Sequence, residues 1–321
     1  MNKRKVLITG VLGFIMSNFV RKFVYENAPY EFISIDKITN AANANSIYAN
    51  KNHEFILADI TDTHIIDRIF EIQRPEIVIH AAAETFVDYS LQNPNIFITT
   101  NVLGTQILVN ASVKWGVKKF VFVSSDEVYG QLEKETDPPW PETSPLAPRN
   151  PYAASKACGE MVVQAAGTSF GLPYCITRSS NTYGPRQTAE KFIPKIIKSV
   201  LDNTKIPVYD RGLQMRDWLY VSDACSGIMK VVEEGKDKEI YNITANQEYP
   251  NIEVVQLLCN ALCKGYDLIE FVKDPRGNAH DFRYAIDATK IKSLGWEPKF
   301  KFKSGILQTV DWYTKNKFFL K

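Results

Sequence analysis

Along the first 180 residues, short β-branched and aromatic runs alternate with longer stretches in which apolar positions recur every three or four residues. Runs of the first kind read as buried strands, and those of the second as helices with one inward face. The pattern predicts strands over residues 5–9, 32–36, 55–59, 77–80, 120–124 and 174–178, and helices over 14–26, 62–73, 95–113 and 152–170. Strands separated by helices of that length pair in parallel through right-handed crossovers. The fold class that follows is α/β, a doubly wound parallel sheet of Rossmann type.

Beyond residue 180 the pattern changes. Loops rich in Gly, Pro, Asn and Arg separate shorter elements, with helices expected over 187–202, 221–234 and 252–263. The expected division is a nucleotide-binding domain over 1–180 and a smaller substrate-binding lobe over 181–321, with a soft boundary that strands can cross. The proline-rich segment 136–151 reads equally as a loop over a site mouth or as an ordinary surface connection.

Composition narrows the partners. The chain has 321 residues, 45% of them apolar, enough for a large core. Lys plus Arg number 38 against 36 acids, a formal charge of +2. That balance gives no field for nucleic acid or an anionic membrane, and neither is expected as a partner. No apolar run is read as approaching the ~20 residues that span a bilayer, and the apolar stretch at 6–8 is too short for a signal-peptide core, so a cytoplasmic protein is expected. Five cysteines without a C-x-x-C pair, and four histidines in all, point to free thiols and no metal site.

Candidate chemistry begins where the first strand ends. In Thr9-Gly10-Val11-Leu12-Gly13-Phe14-Ile15-Met16 the glycines let the backbone approach a pyrophosphate, and the helix start at Phe14 and Ile15 favours its charge. Asp36 ends the second strand, 26 residues beyond Gly10. An acid there meets the ribose hydroxyls of adenosine and repels a 2′-phosphate, which selects NAD over NADP; the alternative is a strand-end turn residue. Asp59 and Ile60 read either as an adenine contact or as a helix N-cap region. Ala81, Ala82 and Ala83 leave room for the cofactor phosphates, or else pack a helix start tightly on the sheet.

Tyr152 and Lys156 lie four apart, on one face of a helix. An ammonium beside the phenol is expected to lower its pKa toward neutrality, so that it accepts a proton from an alcohol while hydride leaves the carbon. The alternative is a solvent-facing pair. Ser125, Asp126 and Glu127 leave the fifth strand at its C-terminal end, where ligands bind in this architecture. Two adjacent carboxyls can serve there as acid and base if their environments separate their pKa values; a solvated acidic loop is the alternative.

In these motifs the chain resembles the extended short-chain dehydrogenase/reductase family and, within it, the nucleoside-diphosphoglucose 4,6-dehydratases. Residues 10–16, 80–90, 100–105, 124–130, 150–156, 178–185, 190–194, 216–220 and 283–287 carry the resemblance nearly end to end. Most diagnostic is Asp126-Glu127 in Ser-Asp-Glu-Val-Tyr-Gly, because related epimerases and sugar-acid decarboxylases share the Tyr and Lys but typically lack the acid pair.

The resemblance implies a lyase of deoxysugar synthesis, such as the route to rhamnose, acting on dTDP- or UDP-glucose with NAD. Tyr152, aided by Lys156, would take the proton of the carbon 4 hydroxyl as hydride passes to NAD. Glu127 would remove the carbon 5 hydrogen, and Asp126 would protonate the departing carbon 6 hydroxyl. Ser125 stands where the family usually has Thr, its hydroxyl able to bond the carbon 4 oxygen. On the substrate side the resemblance implies Thr85 at the sugar and Asn181 at the diphosphate. It implies Glu190 and Lys191 along the base, Arg216 as a two-pronged diphosphate ligand, Asn251 as a further nucleotide contact, and Arg276 with His280 from the 274–281 loop. By themselves Arg216 reads also as an ion-pair residue, Asn251 as a helix N-cap and Asp88 as structural. Met16 replaces the usual third glycine, from which a shifted helix is expected, and Phe86 and Tyr89 replace polar residues. A homodimer through the helices at 95–113 and 152–170 is implied as well. The rival readings are an epimerase or decarboxylase on the same frame and a non-catalytic NAD sensor.

Overall fold

The computed structural model describes residues 3–25, 29–39, 42, 52–277 and 280–320. In chain order the first half comprises β1 (Arg4–Thr9), α1 (Phe14–Tyr25), β2 (Tyr30–Asp36), β3 (His53–Leu57), α2 (Thr63–Gln73), β4 (Ile77–His80), α3 (Val87–Gln92), α4 (Pro94–Phe97), α5 (Gly104–Lys114), β5 (Lys119–Ser125), α6 (Pro151–Ser169) and β6 (Tyr174–Ser179). The second half comprises β7 (Asn181–Tyr183), α7 (Phe192–Leu201), β8 (Ile206–Tyr209), β9 (Met215–Tyr220), α8 (Val221–Glu234), β10 (Glu239–Ile243), β11 (Glu248–Pro250), α9 (Asn251–Ala261), β12 (Ile269–Val272), α10 (Thr289–Lys292) and α11 (Phe302–Lys315).

Seven parallel strands form one sheet in the order β10-β6-β5-β4-β1-β2-β3. Val6, Leu7 and Ile8 of β1 are essentially unexposed, because helices cover both faces of a parallel sheet; this is why its strands read as continuous apolar runs. One apolar layer gathers α1 and α8 residues such as Phe19 and Ile228, and the other gathers α2, α5 and α6 residues such as Phe70, Leu108 and Val163. The order turns about β1 and β4, so the loops after Thr9 and His80 open a crevice between them, where ligands bind in open α/β sheets.

Elements cross the soft boundary near residue 180. β10 pairs with β6 and α8 packs on α1, so segments from the second half complete the first sheet and cover it. The remaining second-half elements form a lobe from a three-stranded sheet, β11-β9-β7, and a two-stranded one, β12-β8. Its own apolar core includes Tyr183, Ile196, Trp218, Val254 and Phe302.

Four local differences from the sequence pattern have physical causes. The third strand ends at Leu57 rather than residue 59, and Asp62 lies outside α2 as its N-cap, accepting from His64 N and Ile65 N. The helix expected from 187 begins at Phe192. The helix expected over 95–113 is broken by a π-helical turn, Ile98–Leu103, whose Asn101 O accepts from Thr105 Oγ1 of α5 at 2.6 Å. With that turn included, Pro94–Lys114 is 21 residues long and is apolar enough to cross a membrane by length and composition. This corrects the reading that no run approaches such a length. Its window is 56% buried, packed on α2 and α6 as core helices are. Finally, segment 131–150 is tied down: Leu132 N donates to Arg283 O at 3.0 Å and Trp140 N to Ala285 O at 2.9 Å.

Behind α6, Glu160 and Arg178 form an ion pair with side chains 0% and 2% exposed, including an Nε–Oε1 bond of 3.0 Å. Removing one partner strands a buried charge. Glu160→Gln is expected to lower unfolding free energy by about 3–5 kcal/mol, measured by urea denaturation; a loss below about 1 kcal/mol would show that the pair does not anchor α6 to β6.

Candidate active site

Gly10 follows β1 with φ +76°, and a Cβ there would lie 2.7 Å from the Ala82 backbone. Only glycine lets the two strand-end loops approach this closely. Gly13 N donates to Gly10 O at 3.1 Å, closing the turn that starts α1. Asp36 braces it: Oδ2 accepts from Leu12 N at 2.8 Å and Oδ1 from Ile38 N at 3.2 Å. Burial raises the Asp36 pKa, opposed first by the Leu12 bond. Asp36 is thus a turn brace and also part of the cavity wall.

That wall includes Gly10, Gly13, Phe14, Ile15, Ile60, Ala81, Ala82 and Ala83. Asp59 is not on it. Its carboxylate accepts from Thr61 N at 2.9 Å and pairs with Lys37 at 3.3 Å, and those partners hold its pKa low although burial alone would raise it. Asp59 is thus tied to the turn after β3 and to Lys37, which lines the cavity. Ala81 N and Ala82 N donate to Thr9 Oγ1, which lies 2.8 Å from His80 Nδ1; His80 Nε2 lies 2.8 Å from Thr105 Oγ1. Met16 is 1% exposed within the α1–α8 core, so the missing glycine is replaced by apolar packing.

The cavity has a volume of about 290 Å³ and shares a wall with a second of about 1070 Å³. Among the described residues, six buried side-chain oxygens on the first wall have no partner: Thr100 Oγ1, Ser124 Oγ, Asp126 Oδ2, Ser179 Oγ, Ser180 Oγ and Asn181 Oδ1. Such atoms are rare in native interiors. Their clustering along one cleft fits a large polar ligand, and the residues present therefore suit a dinucleotide.

Tyr152, Lys156, Ser125, Asp126 and Glu127 all face this cavity. Lys156 is 2% exposed; its Nζ donates to Val123 O at 2.7 Å and lies 4.2 Å from the centre of the Phe122 ring. Burial pulls its pKa down to about 7 against the pull of Glu160. The Tyr152 pKa is raised, by burial first and then by Glu127, with a bond to Ser125 opposing. The expected lowering of the phenol is overturned for the protein alone. Acids crowd the phenol, and the ammonium is engaged by a backbone carbonyl.

The two acids are held differently. Asp126 is 3% exposed, and its one bond is from Ser125 Oγ at 3.2 Å. Burial and then Glu127 push it up to about 8, so it carries a proton at neutral pH. Glu127 is also raised by burial, but Asn150 Nδ2 donates to its Oε2 at 3.0 Å, and Lys191 and Arg216 favour its charged form. Asp126 is made a proton donor, whereas the rise of Glu127 is opposed by an amide and two cations.

On the second cavity, Lys191 Nζ donates to Thr85 O at 2.8 Å and lies 4.6 Å from the Phe86 ring centre. It therefore stands in the middle of the cleft, on both cavities, not only along a base; Glu190 is exposed at its rim. Asn181 is on both walls. Arg216 donates to Met215 O, Phe282 O and Asp281 O at 2.7, 3.2 and 2.9 Å, and stacks 4.5 Å over Tyr284. Two of a guanidinium's five donors stay available for a ligand. Asn251 opens α9 after Pro250, which takes the cap position, and its side faces the cavity. Arg276 Nη2 bonds Asp88 Oδ2 at 3.0 Å across the mouth, and His280 Nδ1 pairs with Asp274; Asp88 is thus part of a bridge between the walls.

Two residues were missed. Asn150 has a legible signal, an Asn-Pro pair just before a helical run. Asn101 has none. The π turn aims it at Ser155 Oγ and Glu84 O, at 2.8 and 3.0 Å, linking α6 to the Glu84–Thr85 loop.

A doubly wound sheet with a glycine turn after β1, an acid ending β2 and a Tyr-x-x-x-Lys helix lining one cleft defines an extended short-chain dehydrogenase/reductase. The family model described as GDP-mannose 4,6-dehydratase matches residues 7–309, and the chain belongs to that family. It is 40% identical to the low-salt glycan biosynthesis protein Agl12 of Haloferax volcanii, covering 96% of this chain and 98% of the relative. It is 41% identical to dTDP-glucose 4,6-dehydratase of Xanthomonas campestris, covering 97% and 93%. Its structure is similar to that of DesIV, the dTDP-glucose 4,6-dehydratase of Streptomyces venezuelae crystallised with NAD, with a TM-score of 0.94, 37% identity and 99% of both chains covered.

Proposed function

We propose that the protein is an NAD-dependent hydro-lyase that converts dTDP-glucose to its 4-keto-6-deoxy sugar nucleotide, a step toward deoxysugars. The observation that carries this reading is the unequal pair: beside Tyr152, Asp126 is held protonated while Glu127 receives an amide donor and two cations. An epimerase needs the phenol alone, whereas elimination of water needs a base at carbon 5 and an acid at the carbon 6 oxygen.

The glycine turn, Asp36 and the Ala81–Ala83 loop would hold NAD, which would supply a hydride acceptor and donor. Tyr152 takes the proton of the carbon 4 hydroxyl, with Ser125 bonding the same oxygen. Lys156 sits one helical turn away and favours the phenolate. The ketone at carbon 4 acidifies carbon 5, and Glu127 accepts that hydrogen as a proton. Asp126 gives its proton to the carbon 6 hydroxyl, which leaves as water; return of the hydride to carbon 6 and of a proton from Glu127 to carbon 5 completes the 4-keto-6-deoxy product. Arg216, Lys191 and Asn181 line the path of the diphosphate, with Arg276 and His280 at the mouth.

The relatives' names favour thymidine over uridine as the base. Incubation with dTDP-glucose and UDP-glucose separately tests both points, because the 4-keto-6-deoxy product absorbs in strong alkali. Strong absorbance, faster with dTDP-glucose, is expected; a carbon 4 epimer with no alkaline absorbance would overturn the reading. Ile98, Leu103 and Met161, each at least half exposed on the two helices, support a homodimer through that face. The five free cysteines fit a reducing cytosol.

A further inference from the structure

Asn150 joins the two halves of the site with one side chain. Its Oδ1 accepts from Ala153 N at 2.8 Å and caps α6, the helix of Tyr152 and Lys156. Its Nδ2 donates to Glu127 Oε2 at 3.0 Å, and the residue is 5% exposed. A cap needs only an acceptor, which Ser, Thr or Asp supplies equally well. The second bond also needs a donor on the same side chain, aimed at the Glu127 carboxylate while the oxygen caps the helix; the amide carries acceptor and donors together on a planar group.

We propose that Asn150 is a positioning residue that holds the Glu127 carboxylate in register with the Tyr152 phenol, so that the two proton acceptors meet neighbouring carbons of one sugar. The proposal rests on Glu127 acting as the base of a dehydration. The bond also favours the charged form of Glu127, against burial. The other titratable groups facing Glu127 are Asp126 and Tyr152 beside it, Lys191 and Arg216 across the cleft, and Asp281 and Tyr284 from the C-terminal loop. None of them changes in the variants below.

Asn150→Ser and Asn150→Asp both keep the cap. Serine caps through a side chain too short to carry a donor to Glu127 as well, so the Nδ2 bond is lost, and aspartate sets a second carboxylate against Glu127. Oxidation at carbon 4, read as reduced nicotinamide in a rapid-mixing experiment, is expected to stay within roughly threefold in both, while dehydration falls roughly tenfold for serine and further for aspartate. Without the donor Glu127 ionises at higher pH. The acid limb of the kcat profile therefore moves up in the order Asn, Ser, Asp. Equal loss of both steps with an unmoved limb would reduce Asn150 to a helix cap and overturn the proposal.

A second readout does not depend on turnover. Carboxyl NMR of glutamate-labelled protein, with Glu127 assigned through Glu127→Gln, should show its titration midpoint rising in both variants; an unmoved midpoint overturns the proposal. Absence of any 4-keto-6-deoxy product from the unaltered protein would instead sink the dehydratase reading, and the titration would still decide whether Asn150 holds Glu127.

Discussion

Tyr152→Phe is expected to lower kcat by roughly 10²- to 10⁴-fold, the range set by loss of a positioned acid–base group. Sugar-nucleotide affinity should change little, because the variant removes one hydroxyl and keeps the ring that packs against Phe97 at 6.5 Å between centroids. The first step needs somewhere for the carbon 4 hydroxyl proton to go. Tyr152 sits on that wall with Ser125 bonded to it and Lys156 one turn along α6. Burial and the neighbouring acids raise the phenol, so the phenolate exists only while positive charge is near it. The loss should therefore fall on oxidation itself, with no reduced nicotinamide formed when variant and substrate are mixed. Normal turnover by the variant would remove Tyr152 from the chemistry and favour a binding role.

The second large effect concerns the acid pair. Asp126→Asn should lower dehydration roughly 10²- to 10⁴-fold, yet reduced nicotinamide should build up, because carbon 4 is still oxidised while the carbon 6 hydroxyl cannot leave. Asp126 ionises at about 8 in the fold. The parent's kcat should therefore decline as pH rises through that value, and the variant should lose that limb. The stability sign runs the other way. A carboxyl whose folded pKa lies above its unfolded value contributes stability only at low pH, and that contribution is lost as pH rises toward about 8. Asparagine at 126 removes that penalty, so the variant should melt no lower than the parent at neutral pH. A collapse of melting temperature would show that the activity loss came from unfolding.

Much of this was legible because local chemistry and global fold agree. Ile77–His80 and Val221–Glu234 appear with the predicted bounds, since the first is a short apolar run and the second an amphipathic one ended by Gly235. The motifs at Gly10–Gly13, Asp126–Glu127 and Tyr152–Lys156 converge on one cavity, as strand ends in a parallel sheet must.

The remainder depended on contacts between residues far apart in sequence. β10 joins β6 across some 60 residues, a pairing that no periodicity announces. Asp59 pairs with Lys37 of the neighbouring strand end, another contact that no periodicity announces. The direction of the Tyr152 shift required knowing how deeply the fold buries the phenol and that Glu127 and Asp126 stand beside it. The π turn at Asn101 has no sequence period of its own.

The central claim is that a phenol and two carboxyls act on one hexose. Running the reaction with dTDP-glucose in heavy water, and reading the product by NMR, tests it most directly. The account predicts a 4-keto-6-deoxy sugar carrying solvent deuterium at carbon 5, formed by the parent and lost in Glu127→Gln. Product without deuterium at carbon 5, or a glucose merely inverted at carbon 4, would contradict it.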